Sequence, residues 1–132
     1  MIGLDKRWLE PYGIDPDTAF VALIPYSGQV VTHFERRREL GLPDTQPLVD
    51  DMAPLSYVRP DCRPMLILSG DREREMLGRY EENAYFWRMM RVAGHPDVRI
   101  CEFDGFDHGN MPQAGHFVAV RYIREMERRM DR

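Results

Sequence analysis

The chain has 132 residues, of which 43% are hydrophobic and 30% are charged, and these fractions are typical of one soluble globular domain. The formal net charge of −4 gives no reason to expect nucleic acid as a partner. No stretch approaches the ~20 apolar residues of a membrane helix, so no membrane partner is expected. The two cysteines, Cys62 and Cys101, cannot form a disulfide framework, which favours a cytoplasmic location.

Strands and helices alternate along the predicted chain. Short apolar runs bounded by turn residues predict buried strands, and apolar residues near 3.6-residue spacing predict helices. The order is strand 19–25, helix 29–40, strand 64–69, helix 76–92, strand 98–103 and helix 112–130. On the last helix, the predicted buried stripe is Phe117, Val120, Ile123 and Met126. Such alternation favours a parallel sheet with right-handed crossovers. We therefore expect an α/β fold with a three-layer, partial parallel sheet of about three strands and flanking helices, in one partial domain over residues 1–132.

The loops after the predicted strands carry the candidate chemistry, because open α/β sheets bind ligands at the carboxyl ends of their strands. The loop 70–75 is rich in carboxylates, and the loop 105–110 contains His108. A histidine can take the proton of a nucleophile, and a carboxylate can fix the tautomer of that histidine. An acid loop followed ~35 residues later by a histidine loop therefore predicts two members of a Ser-His-acid triad, in the chain order of α/β-hydrolases.

Four segments carry a broader pattern: YGIDPDTAFVALIPYSGQ, PMLILSGDRER, GRYEENAYFW and EFDGFDHGN. In these segments the chain resembles the C-terminal third of α/β-hydrolases of the carboxylesterase/lipase type, related to acyl-sugar esterases. The resemblance extends over nearly all of the chain. It implies an α/β-hydrolase-like C-terminal half, a small-molecule ester of a small acid as the substrate of the complete enzyme, and no cofactor.

The resemblance assigns His108 as the catalytic histidine and leaves the acid open among three carboxylates. The family usually places the acid three residues after the glycine that ends the preceding strand, which here gives Glu73 after Gly70. Asp71 lies nearer to the strand and has the commoner acid type. Glu75 is the third choice. If Glu73 is the acid, its side chain should lie within hydrogen-bond reach of His108.

The nucleophile motif G-x-S-x-G is absent, since Ser27, Ser56 and Ser69 all lack the paired glycines that form the strained elbow. The resemblance implies that Ser27 borders the active site without being the nucleophile. We therefore expect a C-terminal segment of a serine carboxylesterase that supplies the histidine and the acid. The isolated chain should have negligible activity, because a triad without its nucleophile loses most of its rate.

The alternative is a non-catalytic, oligomerising or partner-dependent α/β module derived from a hydrolase, and a small ligand-binding module is a third hypothesis. No C-x-x-C or H-E-x-x-H motif points to a metal site. In the hydrolase arrangement, the strand at 19–25 would be an open apolar edge of the sheet. The expected partner is therefore a second copy, in a homodimer, or a missing N-terminal half.

Overall fold

Two parallel strands and four α-helices form the regular part of the structure, a computed structural model that describes residues 1–131. Their order is α1 (Pro16–Ala19), α2 (Phe34–Glu39), β1 (Met65–Gly70), α3 (Arg79–Val92), β2 (Val98–Phe103) and α4 (Met111–Met130). Three short 3₁₀ helices lie in the connections, at Lys6–Trp8, Glu10–Tyr12 and Pro54–Tyr57. The predicted strand at 98–103 is confirmed at both ends.

Strand β1 is buried along its whole length because both of its faces are covered. Met65 and Ile67 lie in a core with residues of α3, and Leu66 and Leu68 lie in a second core with residues of α4. β1 pairs with β2 in a parallel register from Met65↔Val98 to Gly70↔Phe103. A strand buried on both faces is continuously apolar, which explains the run that identified it in the sequence.

The first predicted strand, at 19–25, is not a regular strand. Pro16–Ala19 form the helical turn α1, and the residues that follow pair with β1 through two isolated parallel bridges, Leu23↔Met65 and Tyr26↔Leu68. The N–H of Leu23 donates to Pro64 O and that of Ser27 to Leu68 O. Pro25 lies between them and has no N–H to donate. The described sheet therefore has two strands and not about three.

Three helices differ from their predicted form. Helix α2 begins at Phe34 and not at residue 29. Helix α3 begins at Arg79 and not at residue 76, after Gly78 at a φ of 70°. In α4, Ala119, Tyr122 and Met126 pack against the sheet, whereas Val120 and Ile123 are exposed and Phe117 is 81% exposed. The predicted stripe is therefore wrong for three of its four members, because α4 is apolar on two sides and spacing alone cannot choose between them.

None of the helices within residues 1–131 combines the length and the apolar character that crossing a bilayer requires. Cys62 and Cys101 are both unpaired.

Candidate active site

Three loops meet at the carboxyl end of the sheet. One follows the bridge residues 23–26 and carries Ser27, one follows Gly70 and carries Glu75, and one follows Phe103 and carries His108. Nδ1 of His108 lies 3.0 Å from Glu75 Oε2 and 3.1 Å from Ser27 Oγ. The hydroxyl of Ser27 donates a short hydrogen bond to Glu75 Oε1. The structure thus brings a histidine, a carboxylate and a hydroxyl into mutual contact.

Glu75 is held by four hydrogen bonds. Its Oε1 accepts from the hydroxyl of Ser27 and from the amide of Gly70 at 3.0 Å, and its Oε2 faces the amide of Met76 at 3.1 Å and Nδ1 of His108. The side chain is 0% exposed. Burial raises the pKa of this carboxyl group, but the hydrogen bonds outweigh burial and keep the pKa below its ordinary value. The site therefore favours an ionised Glu75.

Glu75 is therefore the carboxylate next to His108. The sequence favours Glu73 first and Asp71 second, with Glu75 as the third choice. The reason is a helical turn: the carbonyl of Asp71 accepts from the amides of both Arg74 and Glu75. On such a turn, residues four apart share a face and residues two apart do not. Glu75 therefore points toward the sheet edge, while Glu73 is exposed to solvent.

Asp71 connects the acid loop to the histidine loop. Its side chain accepts from the amide of Gly105 at 2.8 Å, and its own amide donates to Phe106 O at 2.8 Å. The hydrogen bond from Gly105 is the main cause that lowers the pKa of Asp71. The acid loop and the histidine loop lie very close to each other at Gly70. A Cβ on this residue would lie 2.6 Å from Phe106 O and 3.0 Å from Glu75 Oε1. Only glycine fits there without displacing the acid or the loop.

His108 lies in the turn that leads into α4. The carboxylate of Asp107 accepts from the amides of Gly109 and Asn110, both at 2.9 Å, which fixes the loop around the histidine. The side chain of His108 is 45% exposed. Because Nδ1 faces the Glu75 carboxylate, the proton belongs on Nδ1. Among residues 1–131, no hydrogen-bond partner approaches Nε2, so this nitrogen can accept a proton.

Ser27 has a strained backbone, with a φ of 43°, and is the one residue other than glycine in the described chain with a positive φ. The beginning of α3 holds it there. Arg79 Nη1 donates to Ser27 O at 2.5 Å, and Asn83 Nδ2 donates to Gly28 O at 2.7 Å.

Glu82 completes this contact between α3 and the loop. Its Oε2 accepts from the amides of Val30 and Val31, both at 2.8 Å, and its Oε1 pairs with Arg79 Nε at 2.7 Å. The sequence reasoning missed these residues. A signal was present, because Arg79, Glu82 and Asn83 have the i, i+3, i+4 spacing of one helix face, and this face continues into the buried Phe86.

Ser27 is not placed as a nucleophile. It is only 2% exposed, and its hydroxyl donates to Glu75 and not to the histidine. In a triad the nucleophile contacts one ring nitrogen and the acid contacts the other. Here Ser27 and Glu75 both contact Nδ1 of His108.

The described residues contain no cluster of three or more His, Cys, Asp or Glu side chains that could hold a metal ion.

No protein family and no curated protein matches the chain. Solved structures of esterase 2 from the planctomycete Thermogutta terrifontis do match its fold. The native enzyme is 20% identical, with a TM-score of 0.59 over 87% of this chain and 45% of the esterase. The propionate-bound form is 21% identical, with a TM-score of 0.59 over 80% and 42%. The form phosphonylated by cyclosarin is 22% identical, with a TM-score of 0.59 over 80% and 40%.

The fold of this chain resembles part of the fold of these esterase structures. The chain spans less than half the length of the esterase structures that it matches, and at this level of identity the similarity concerns the fold. In this esterase-like fold, the cluster can do one kind of chemistry with its own atoms. Nε2 of His108 can accept and return a proton, while Glu75 stabilises the imidazolium that forms.

Proposed function

We propose that the chain is the C-terminal part of a serine carboxylesterase, in which His108 is the general base and general acid and Glu75 is the carboxylate that orients it. One observation carries the proposal: Glu75, whose side chain is fully buried, contacts Nδ1 of His108 at the carboxyl end of a parallel sheet, and Nε2 is left open. The esterase-like fold supports this assignment.

The proposed reaction is the hydrolysis of a small-molecule ester. A serine from a segment outside this chain attacks the ester carbonyl, and His108 takes the serine proton at Nε2. Glu75 stabilises the imidazolium, which then protonates the leaving alcohol. In the second half of the reaction, His108 takes a proton from water, which attacks the acyl-enzyme. His108 then returns this proton to the serine, and the acid is released. The substrate class is an ester of a small acid, and acyl sugars are the proposed subtype.

Residues 22–26 form an open edge of the sheet, and this edge supports the proposal that the chain binds a partner. The N–H groups of Ala22, Ile24 and Tyr26 form no hydrogen bond within residues 1–131, and Phe117 and Val120 of α4 are exposed. Unpaired strand edges and exposed apolar faces are characteristic of docking surfaces. In the proposed esterase, this edge receives the segment that brings the nucleophile.

The same edge supports a second candidate function, a non-catalytic module that pairs with another copy. A two-fold axis would join identical edges in antiparallel orientation. With either function, we propose that Cys62 and Cys101 stay reduced. Because the cytoplasm keeps thiols reduced, we propose a cytoplasmic location.

The test begins with the chain alone. We expect no hydrolysis of p-nitrophenyl acetate above the spontaneous rate. Hydrolysis that is lost in both His108→Ala and Ser27→Ala would assign the nucleophile to Ser27 and overturn the proposal.

The second step supplies the polypeptide that is encoded in frame before this chain, either fused to it or as a separate chain. We expect a G-x-S-x-G motif there and esterase activity that falls by about 10⁶ in His108→Ala and by about 10⁴ in Glu75→Ala. Glu73→Ala is the matched control, in the same loop but exposed, and should keep full activity. Absence of the motif, or activity that survives His108→Ala, would favour the second candidate instead.

A further inference from the structure

We infer that Ser27 is a positioning residue, whose hydroxyl fixes the rotation of the Glu75 carboxylate against His108. This inference rests on the proposed function of the Glu75–His108 pair. Ser27 is buried, donates to Glu75 Oε1, and has its Oγ 3.1 Å from His108 Nδ1. A hydroxyl can donate one hydrogen bond and accept another. Ser27 can therefore donate to the acid and at the same time share the single N–H of His108 Nδ1 with Glu75 Oε2.

The two oxygens of Glu75 have different surroundings. Oε1 accepts from the Ser27 hydroxyl and the Gly70 amide, whereas Oε2 faces the Met76 amide and His108. Two donors on Oε1 prevent the carboxylate from turning about its last bond. Its second oxygen is thereby directed at the histidine. Without the hydroxyl, a single amide would hold Oε1.

The backbone of Ser27 indicates that this contact is imposed by its surroundings. A φ of 43° is strained for a residue with a side chain, and such strain persists only where the surrounding structure enforces it. The hydroxyl that contacts Glu75 belongs to the one residue other than glycine, within residues 1–131, whose backbone has a positive φ.

The first turn of α3 supplies the constraint. Arg79 binds the carbonyl of Ser27, Asn83 binds the carbonyl of Gly28, and Glu82 binds the next amides along the loop. Arg79 and Glu82 form an ion pair with side chains only 6% and 9% exposed. Burying such a pair is costly unless its groups are satisfied, and here both also bind loop backbone. Because α3 begins four residues after Glu75, the same segment holds the acid and the loop that carries its hydroxyl partner.

Two substitutions separate the hydroxyl from the backbone. Ser27→Ala removes the hydroxyl and keeps the Cβ, so the strain remains. Ser27→Gly removes the hydroxyl and also relieves the strain, because glycine adopts positive φ readily. Ser56→Ala is the matched control, since Ser56 donates to Asp50 O at 2.6 Å and does not contact the site.

The readouts are the ¹³C titration of the Glu75 carboxyl group and the ¹⁵N-detected tautomer of His108, both measured on the full chain. We expect Ser27→Ala and Ser27→Gly to raise the pKa of Glu75 by about one unit, because a hydrogen bond to the charged form is lost. Both should also reduce the fraction of His108 with the proton on Nδ1. Ser27→Gly should melt at a higher temperature than Ser27→Ala. A folded Ser27→Gly with an unchanged Glu75 titration and tautomer would overturn the inference.

Failure of the proposed function would look different. If His108→Ala leaves the wild-type Glu75 titration unchanged, the pairing of Glu75 with His108 is itself wrong, whatever Ser27 does. In a reconstituted esterase, loss of the hydroxyl should lower kcat roughly tenfold with KM unchanged, because the hydroxyl orients the acid and does not bind substrate. A rise in KM alone would assign Ser27 to the substrate pocket and overturn the positioning role.

Discussion

Replacing Glu75 with glutamine is the sharpest perturbation of the site, because the shape is kept while one acceptor becomes a donor. Oε1 has the stronger environment, with the Ser27 hydroxyl and the Gly70 amide. The amide oxygen should therefore stay there, and the NH₂ group should face Met76 and His108. His108 can respond by moving its proton to Nε2, so that Nδ1 accepts. The Met76 amide cannot respond and loses its acceptor.

The magnitude follows from these contacts. The Met76 amide lies in an exposed position, so water can replace its lost acceptor at little cost. The remaining hydrogen bonds to residue 75 also become neutral, and charge-assisted bonds are about twice as strong as neutral ones. We expect Glu75→Gln to lower the free energy of unfolding by about 1–3 kcal/mol at pH 7, mainly through the weaker hydrogen bonds from Ser27 and Gly70. This is a large part of the total of ~5–15 kcal/mol for a typical domain.

The assays are urea unfolding and ¹⁵N NMR of the His108 ring. Glu73→Gln is the control, because Glu73 is exposed and should change the stability by less than ~0.5 kcal/mol. Glu75→Gln should shift the ring proton from Nδ1 to Nε2, which removes the base that the proposed mechanism needs. The reasoning is refuted if Glu75→Gln keeps both its stability and the Nδ1–H tautomer, or if Glu73→Gln shows these effects instead.

Three further predictions concern the same end of the sheet and its edge. Gly70→Ala should lower the stability by about 1–3 kcal/mol, since the new Cβ would lie 2.6 Å from Phe106 O; a melting temperature equal to wild type would contradict the close approach. The pKa of Glu75 lies below its ordinary value of 4.5, so its contribution to stability is complete above that pH and is lost as the pH falls through the lower, folded-state pKa. The stability difference between wild type and Glu75→Gln in urea should therefore shrink from pH 7 to pH 3, whereas a constant difference would argue against an ionised Glu75. Ile24→Lys should convert a self-associated chain to monomers in sedimentation at micromolar concentration, because lysine on an open edge opposes strand pairing; a wild-type monomer would exclude the homodimer.

Two strands could be predicted from the sequence. Met65–Gly70 is a short apolar run and is buried throughout, whereas Val98–Phe103 includes Arg99 and Glu102 and is half-buried; both are strands. The run at 19–25 is apolar like Met65–Gly70, but Pro25 removes one donor from the ladder and leaves two isolated bridges. Periodicity also could not decide which apolar face of α4 packs on the sheet.

The sequence predicted which loops meet at the candidate site, but not which carboxylate contacts His108. His108 and the loop 70–75 were located because parallel strands bring their carboxyl ends together. Counting residues from Gly70 favoured Glu73, since a count along the chain does not include the helical turn that Asp71 closes with Glu75. The contacts of Arg79 and Glu82 with the loop at 27–31 depend on tertiary packing, which spacing within one helix does not specify.

The hydrogen bonds that hold Glu75 and His108 all come from residues of this one chain, which has a consequence for assembly. A segment that docks on the open edge would meet a histidine and a carboxylate that are already ordered. The conformational entropy of arranging them would be lost when this chain folds, and not when the two parts meet. Substitutions along the edge could then change the affinity between the two parts without disturbing the Glu75–His108 pair. The fraction of this chain that is active would depend only on the fraction that is docked.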